Sequence, residues 1–155
     1  MFNRIIWATD GSESADKALP YVKSLVAAGS SPLTVIHCEE HMVGPRAGFT
    51  VYANEPSIQD KIKAQVEELE RDGIDVTLRI ASSTAGGAAH AIAEIATQVD
   101  ADLIVVGTRG HTALGGLLLG SCTQRLLHIG VCPVFAVPAA PQPAAIEAGP
   151  VEAVS

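Results

Sequence analysis

The stretch ADLIVVG, residues 101–107, is apolar and rich in β-branched side chains. A run of this kind is typical of a strand buried on both faces of a parallel sheet. Four other short runs have the composition of strands, and they are residues 4–9, 32–38, 74–80 and 132–138. The sequence therefore predicts five strands, with residues 101–107 near the centre of the sheet.

Segments predicted to be helical separate these strands, at residues 14–28, 58–69, 87–98 and 121–129. Pro20 predicts a kink in the first helix. The long connection from Glu39 to Pro56 is predicted to be a loop or a partly ordered segment. Alternating strands and helices favour right-handed crossovers, so the predicted fold class is α/β: a five-stranded parallel sheet with helices on both faces, Rossmann-like.

The composition predicts one domain and narrows the range of partners. Of the 155 residues, 48% are hydrophobic, which suffices for a single core, whereas residues 139–155 are rich in Pro and Ala and are predicted to be a disordered tail. With 17 acidic and 10 basic residues, the net charge of −7 disfavours nucleic acid or an anionic membrane as partner. No signal peptide or long apolar run is present, which predicts a cytoplasmic protein.

Five glycines interrupt the apolar stretch GTRGHTALGGLLLGSC, residues 107–122. Gly107 ends a predicted strand and Gly110 follows three residues later, a spacing that lets successive N–H groups converge on an anion. Gly120 then precedes a helix for which Ser121 is the predicted N-cap. The amides that would face an anion at this helix start are those of Ser121, Cys122 and Thr123. Together the two devices suit a polyphosphate, although each glycine alone also fits an ordinary turn.

A second group of polar residues follows the first predicted strand, at Ala8, Thr9 and Asp10. In a parallel sheet the ligand crevice lies at the carboxyl ends of the strands, where the winding direction reverses. If the first and fourth strands are neighbours, both ends line one crevice. Arg109 is then interpreted as a binding residue, with a solvated turn residue as the alternative.

The common phosphate-binding motifs are absent. The sequence has no G-x-x-x-x-G-K-[ST] and no lysine after Lys63, which excludes a P-loop NTPase, and it has no G-x-G-x-x-G after a strand. A phosphoryl-transfer enzyme needs a base and a charge clamp. Only Arg109 and His111 lie near enough to be candidates, so the chain is expected to be at most a weak ATPase.

The glycine spacing G-x2-G-x9-G-S, from Gly107 to Ser121, resembles the nucleotide-binding signature of the universal stress protein family. The opening IIWATDGSESADKAL and the closing VCPVFAVP are similar to the first strand and helix and to the last strand of that family. The resemblance covers residues 1–138 and implies the strand order 3-2-1-4-5. It also implies that the first and fourth strands are neighbours.

The resemblance implies a site for ATP, expected with Mg²⁺. In ATP-binding members the residue matching Asp10 bonds the ribose, and backbone matching Ala8 and Cys38 borders adenine. The residues implied to line the pocket are Val106, Gly107 and Gly110, and those implied to hold phosphates are Gly120, Ser121, Cys122 and Thr123. Cys38 and Cys122 depart from the valine frequent at these positions, and STAGGAAHAI lacks a proline that is usual there.

The resemblance implies a nucleotide-dependent regulator of a stress response that acts on an unidentified protein partner. The alternative is an interaction protein of the same fold that binds no ATP, or binds AMP or cyclic AMP. A nucleotidyl transferase would need a serine-glycine-rich loop or a His-x-Gly-His stretch at the first strand, and ATDGSES is neither.

Two further expectations concern the last strand and the cysteines. The segment from Val131 to Val137 carries no charge and would lie at a sheet edge, which predicts a homodimer through this strand, as in family dimers. Cys122 lies in the first turn of a predicted helix, where a thiol pKa can fall, so it is either a redox-sensitive thiol or a buried inert one.

Overall fold

A computed structural model of the chain describes residues 1–43, 49–51, 54–84, 87–108 and 119–139. The described strands are β1 (Ile5–Ala8), β2 (Leu33–Val43), β3 (Phe49–Val51), β4 (Val76–Thr84), β5 (Leu103–Gly107) and β6 (Val134–Val137). The described helices are α1 (Glu13–Asp16), α2 (Leu19–Gly29), α3 (Glu55–Arg71), α4 (Ala88–Gln98) and α5 (Ser121–Ile129). Among these helices, none is both long and apolar enough to cross a bilayer.

Five of the described strands form a parallel sheet in the order β4-β2-β1-β5-β6. Counted along the chain, the parallel strands have the order 3-2-1-4-5, and the predicted fold class is confirmed. β1 pairs with both β2 and β5, so the first and fourth parallel strands are neighbours. Their carboxyl ends therefore meet at one point of the sheet edge.

Helices cover both faces of this sheet. On one face, Trp7 of β1 is fully buried and belongs to a cluster with Val22 of α2 and Leu69 of α3. On the other face, Ile104 of β5 belongs to a cluster with Leu126 of α5. Because side chains alternate along a strand, β1 and β5 contribute to both clusters, which explains why their sequences are apolar throughout.

The prediction of one helix over residues 14–28, kinked at Pro20, is wrong. The structure has two helices, α1 and α2, and Pro20 lies in the first turn of α2. A proline is tolerated there because the first amides of a helix have no partner within it. Pro20 thus stands at the start of a new helix, and the break occurs just before it, at Lys17 and Ala18.

The prediction that residues 39–56 are a loop is also wrong in part. β2 continues to Val43 and pairs with the short antiparallel strand β3, which makes a sixth described strand. α3 begins at Glu55, with Pro56 in its first turn. The extension of β2 is supported by β4, which stays paired with it as far as His41. The predicted tail, apart from Ala139, lies outside the described residues.

Candidate functional site

A cleft of about 380 Å³ opens where the carboxyl ends of β1, β2 and β5 meet. Ala8 at the end of β1 is paired with Ile36 on one side and with Val106 on the other, and all three residues line the cleft. This is the point where the sheet order reverses, and ligands of open parallel sheets bind at such points. The volume lies within the range of pockets that hold small molecules.

The structure brings together the residues that the sequence analysis selected. Ten of them line the cleft: Ala8, Thr9, Asp10, Cys38, Val106, Gly107, Gly120, Ser121, Cys122 and Thr123. The other two, Arg109 and Gly110, lie outside the described residues, as does His111. Residues from two segments more than ninety positions apart therefore face one cavity, as the strand order requires.

The turn from β1 to α1 is shaped by side chains that accept hydrogen bonds from backbone amides. The Thr9 hydroxyl accepts from the amide of Gly11 at 3.1 Å, and Asp10 Oδ1 accepts from the amide of Ser12 at 2.9 Å. Ser12 Oγ accepts from the amide of Ala15 at 3.2 Å and caps α1. Gly11 has a φ of +75°, which a residue with a Cβ adopts only under strain. This turn holds the Asp10 carboxylate at the wall of the cleft.

Gly107 is required because α1 packs directly on the end of β5. A Cβ built on Gly107 would lie 2.8 Å from the backbone carbon, the backbone oxygen and Oγ of Ser14. Two of these three atoms belong to the backbone and cannot rotate away. Glycine at this position therefore lets the β1–α1 turn approach β5, which closes one side of the cleft.

The opposite side of the cleft is the N-terminus of α5. The N-cap is Gly120, in an extended conformation, and the prediction of Ser121 as N-cap is wrong, since Ser121 is the first helical residue. The first intrahelical bond runs from the amide of Gln124 to Gly120, so the amides of the three residues between them have no intrahelical partner. The Thr123 hydroxyl donates to the Gly107 carbonyl at 3.0 Å, which ties α5 to the end of β5.

The two thiols in the cleft are held in their neutral form. Burial, with smaller contributions from the nearby Cys122 and Glu40, raises the pKa of Cys38 to about 12. Burial raises the pKa of Cys122 to about 11, Glu40 and Asp10 contribute in the same direction, and Arg125 opposes them. The hypothesis that the helix start lowers the pKa of Cys122 is therefore wrong, because burial and two carboxylates outweigh the helix dipole.

Several residues of the site were not predicted. Glu40 lies two positions after Cys38 on β2, on the same face of the strand, and both line the cleft. Asn54 and Ile58, around the start of α3, line the same cavity. The period-two alternation could have indicated Glu40, but the position of α3 depends on tertiary packing and left no local signal in the sequence.

A buried pair of titratable side chains was also missed. His37 of β2 is 3% exposed and Glu55 of α3 is 5% exposed, and His37 Nε2 lies 2.5 Å from Glu55 Oε1. His37 lines the cleft. It follows Val35 in the row of β2 side chains that faces α3, so the alternation along the strand could have indicated a core position but not a polar partner for it.

Comparison of the sequence with family models and with known proteins shows to which family the chain is related. The model of the universal stress protein family matches residues 1–138. A universal stress protein of Thermus aquaticus is 34% identical over 143 residues, covering 88% of this chain and 99% of that protein. The chain belongs to the universal stress protein family.

Solved structures share the universal stress protein fold. The Methanocaldococcus jannaschii protein MJ0577 superposes with a TM-score of 0.69 at 24% identity, covering 92% of this chain and 99% of that one. A universal stress protein in complex with cAMP superposes with a TM-score of 0.65 at 24% identity, covering 90% of this chain and 98% of that one. At 24% sequence identity, these superpositions show that the chain shares the fold of these proteins, and they show the fold alone.

Proposed function

We propose that this universal stress protein binds ATP, together with Mg²⁺, in the cleft at the ends of β1 and β5. The observation that carries the proposal is the arrangement of the cleft: the carboxylate of Asp10 stands on one side and the amides of the first turn of α5 stand on the other. Backbone amides at a helix start attract phosphate without a basic side chain. A carboxylate beside them suits the hydroxyl groups of a ribose, as it does in dinucleotide sites.

The lining of the cleft also suits the nucleobase of a nucleotide. Its lining includes the apolar side chains of Ile36, Ile92 and Val106, which offer surface to a flat aromatic ring. Among the described residues, no group of three or more His, Cys, Asp or Glu could hold a metal ion. Mg²⁺ commonly enters nucleotide sites bound to phosphate oxygens and water, and we propose that it does so here.

We propose slow turnover of ATP, or none. Phosphoryl transfer depends on positioned cations and on a residue that orients the attacking water. Within the described lining, the titratable side chains besides the thiols are Asp10, His37 and Glu40, and His37 is already bonded to Glu55. Binding without efficient chemistry fits a regulator that reports nucleotide occupancy to a protein partner in the cytoplasm. The surface around Glu39 to Pro56, of which Glu40 and Asn54 line the cleft, is the one proposed to change.

A second candidate function is an interaction protein that binds AMP or cyclic AMP. The carboxylates of Asp10 and Glu40 both act on Cys122 in the first turn of α5, so negative charge surrounds the proposed phosphate position. A ligand with one phosphate meets less repulsion there than a triphosphate does. The structural neighbour in complex with cAMP supports the same reading.

One experiment separates these functions. The protein is purified without added nucleotide and denatured, and the released small molecules are identified by mass spectrometry. Thermal unfolding is then followed with Mg-ATP, with ATP and a chelator, with AMP and with cyclic AMP. A ligand at a hundred times its Kd adds about 2.7 kcal/mol to the free energy of unfolding, which raises Tm by roughly 5 to 10 °C.

A matched pair of variants controls for unspecific stabilisation by nucleotide. Asp10→Asn changes the carboxylate in the cleft, whereas Asp60→Asn changes an exposed carboxylate on α3. The ATP proposal requires that Asp60→Asn keep the full Mg-ATP shift and that Asp10→Asn lose most of it. A shift with AMP or cyclic AMP alone would favour the second function, and no shift with any ligand would refute nucleotide binding.

We also propose that β6 forms a homodimer interface. In the described sheet β6 pairs only with β5; its side chain Phe135 is 40% exposed, and Val131, which precedes the strand, is 43% exposed. Phe135 contacts Tyr21 of α2, with ring centroids 5.7 Å apart, and together they form an apolar surface at the edge. Light scattering is expected to give twice the chain mass for the protein and a lower mass for Phe135→Glu. A stable monomer at micromolar concentration would contradict the proposal.

A further inference from the structure

A buried imidazole and a buried carboxyl group join α3 to the end of β1. His37 Nδ1 lies 3.0 Å from the backbone oxygen of Thr9, and His37 Nε2 lies 2.5 Å from Glu55 Oε1. Gln59, one turn further along α3, donates to the same Glu55 oxygen at 3.3 Å. All ring nitrogens of His37 are thus engaged, in a setting almost without solvent.

The partners of His37 determine how many protons the pair holds. A carbonyl oxygen only accepts, so the hydrogen in the contact with Thr9 is carried by His37 Nδ1. If Glu55 is ionised, His37 Nε2 must also carry a hydrogen, and the ring is an imidazolium. If the ring is neutral, Glu55 must be a carboxylic acid that donates to Nε2. In both cases one proton lies between Nε2 and Oε1, and the pair is neutral overall.

This neutral pair is the form that burial favours. The alternative with one proton fewer is a carboxylate with the Nε2–H tautomer of the ring, which places the lone pair of Nδ1 against the oxygen of Thr9. It would also leave a net negative charge in a nearly solvent-free position, which is costly. The contact with Thr9 therefore depends on the shared proton between His37 and Glu55.

The carbonyl that His37 holds belongs to the peptide that leads into Asp10. α3 holds the same turn at two further points. Ile58 packs against Gly11, so closely that a Cβ on Gly11 would lie 2.8 Å from its Cγ2, and Lys61 Nζ donates to the Gly11 carbonyl at 2.8 Å. The first two turns of α3 thus form an outer support for the turn that carries the Asp10 carboxylate.

We propose that His37 and Glu55 are a positioning pair for the nucleotide site, which holds the Thr9 carbonyl, and with it Asp10, through one shared proton. The inference rests on the proposed nucleotide binding and assigns a role to two side chains outside the glycine signature. Neither residue is proposed to contact phosphate. They act through the Thr9–Asp10 peptide.

The proposal is tested by a variant that keeps the shape of the pair and removes its ionisable carboxyl group. Glu55→Gln is that variant. The Gln amide N–H can donate to Nε2 of a neutral ring while Nδ1–H still donates to Thr9, so the hydrogen bond to Thr9 persists, although the contact from the Gln59 amide is lost. Affinity at pH 7 is expected to stay within about twofold of the wild type. His37→Asn cannot span both partners, and a loss of about tenfold is expected, equivalent to one buried hydrogen bond.

Ring ¹⁵N NMR of the protein without nucleotide provides a readout that is independent of binding. His37 Nδ1 is expected to be protonated at pH 7 in the wild type and in Glu55→Gln, with a protected, downfield-shifted N–H signal. His128 is the matched control, because its Nδ1 contacts the Gln124 carbonyl on the exposed surface of α5. His128→Asn should leave both the His37 signal and the nucleotide affinity unchanged.

The outcomes distinguish the pair from the proposed function. An unprotonated His37 Nδ1 at pH 7, or unchanged affinity in a folded His37→Asn, would overturn the positioning role while nucleotide binding stands. If the wild type binds no nucleotide at any pH, the proposed function fails and the role falls with it.

Discussion

The two sides of the cleft are built by different means. On the β1–α1 side, the hydroxyl and carboxylate oxygens of Thr9, Asp10 and Ser12 each accept a backbone amide, so side chains determine the shape of the turn. On the α5 side, Gly120 caps the helix without a side-chain hydrogen bond, and the backbone itself faces the cleft. The first side should therefore be sensitive to the identity of its side chains, and the second to the presence of its amides.

The two sides also differ in charge. The Asp10 carboxylate is negative, whereas the first turn of a helix carries a partial positive charge. A nucleotide has hydroxyl donors at the ribose and negative charge at the phosphate, so the proposed orientation has its sugar at Asp10 and its phosphate at α5. Two of the predictions below alter one side and leave the other intact.

The largest effect is expected where the two sides meet, at Gly107. Gly107→Val places a branched side chain against the backbone of Ser14, and α1 has to move away from β5. We expect the free energy of unfolding to fall by about 3 kcal/mol in urea titration, in the range of overpacked sites. Gly130→Ala is the control, because its added Cβ meets no atom closer than 3.8 Å and only its φ of +66° is strained, at about 1 kcal/mol. Equal effects of the two substitutions would contradict the close packing of α1 on β5.

The second effect concerns the side-chain side of the cleft. Asp10→Ala removes both the acceptor for the Ser12 amide and the carboxylate proposed for the ribose. We expect nucleotide affinity in calorimetry to fall roughly a hundredfold, equivalent to two hydrogen bonds. Asp60→Ala, on the exposed face of α3, should bind as the wild type does. An Asp10→Ala protein with unchanged affinity would place the sugar elsewhere.

The third effect concerns the backbone side. Ser121 is the first residue of α5, where alanine keeps the amide and proline removes it without breaking the helix. Gly120, with a φ of −66° and a ψ of 156°, already has a conformation that precedes proline well. We expect Ser121→Ala to bind within about twofold of the wild type and Ser121→Pro to bind roughly tenfold more weakly. The reverse order would mean that the Ser121 hydroxyl, and not the amide, holds the phosphate.

The smallest effect concerns the thiols, which lie between the two sides. With a pKa of about 11, a fraction on the order of one in a thousand of Cys122 is thiolate at pH 8. Alkylation by iodoacetamide at pH 8 should therefore be slow, and it should accelerate as the pH rises toward 11. Rapid labelling at pH 7 would show that the helix dipole prevails over burial and would restore the redox hypothesis.

The sequence predicted those parts of the cleft that depend on local sequence patterns. The strand ends, the glycine spacing and the start of α5 at Ser121 are encoded within short segments, and the resemblance to the family supplied the strand order that joins them. Even there, the N-cap was assigned to Ser121 because a serine is the more common cap. Gly120 takes the position because its amide donates to the Thr108 carbonyl at the end of β5.

The supports supplied by α3 could not be predicted. The contacts of Ile58 and Lys61 with the β1–α1 turn span more than forty positions of sequence, and Glu55 acts on that turn through His37. All three contacts follow from how α3 packs on the sheet. The hairpin of β2 and β3 was missed for a similar reason, since the extension of β2 depends on its pairing with β4. In both cases tertiary pairing, and not local propensity, determines the structure.

The measurement that tests the central claim most directly is an amide NMR titration with AMP and with Mg-ATP. The account predicts shifts of the Gly11 and Ser12 amides on one side of the cleft and of Ser121, Cys122 and Thr123 on the other. The amide of Gly130, at the far end of α5, should not move. Shifts confined to one side, or located away from both, would contradict a nucleotide site between the β1–α1 turn and the start of α5.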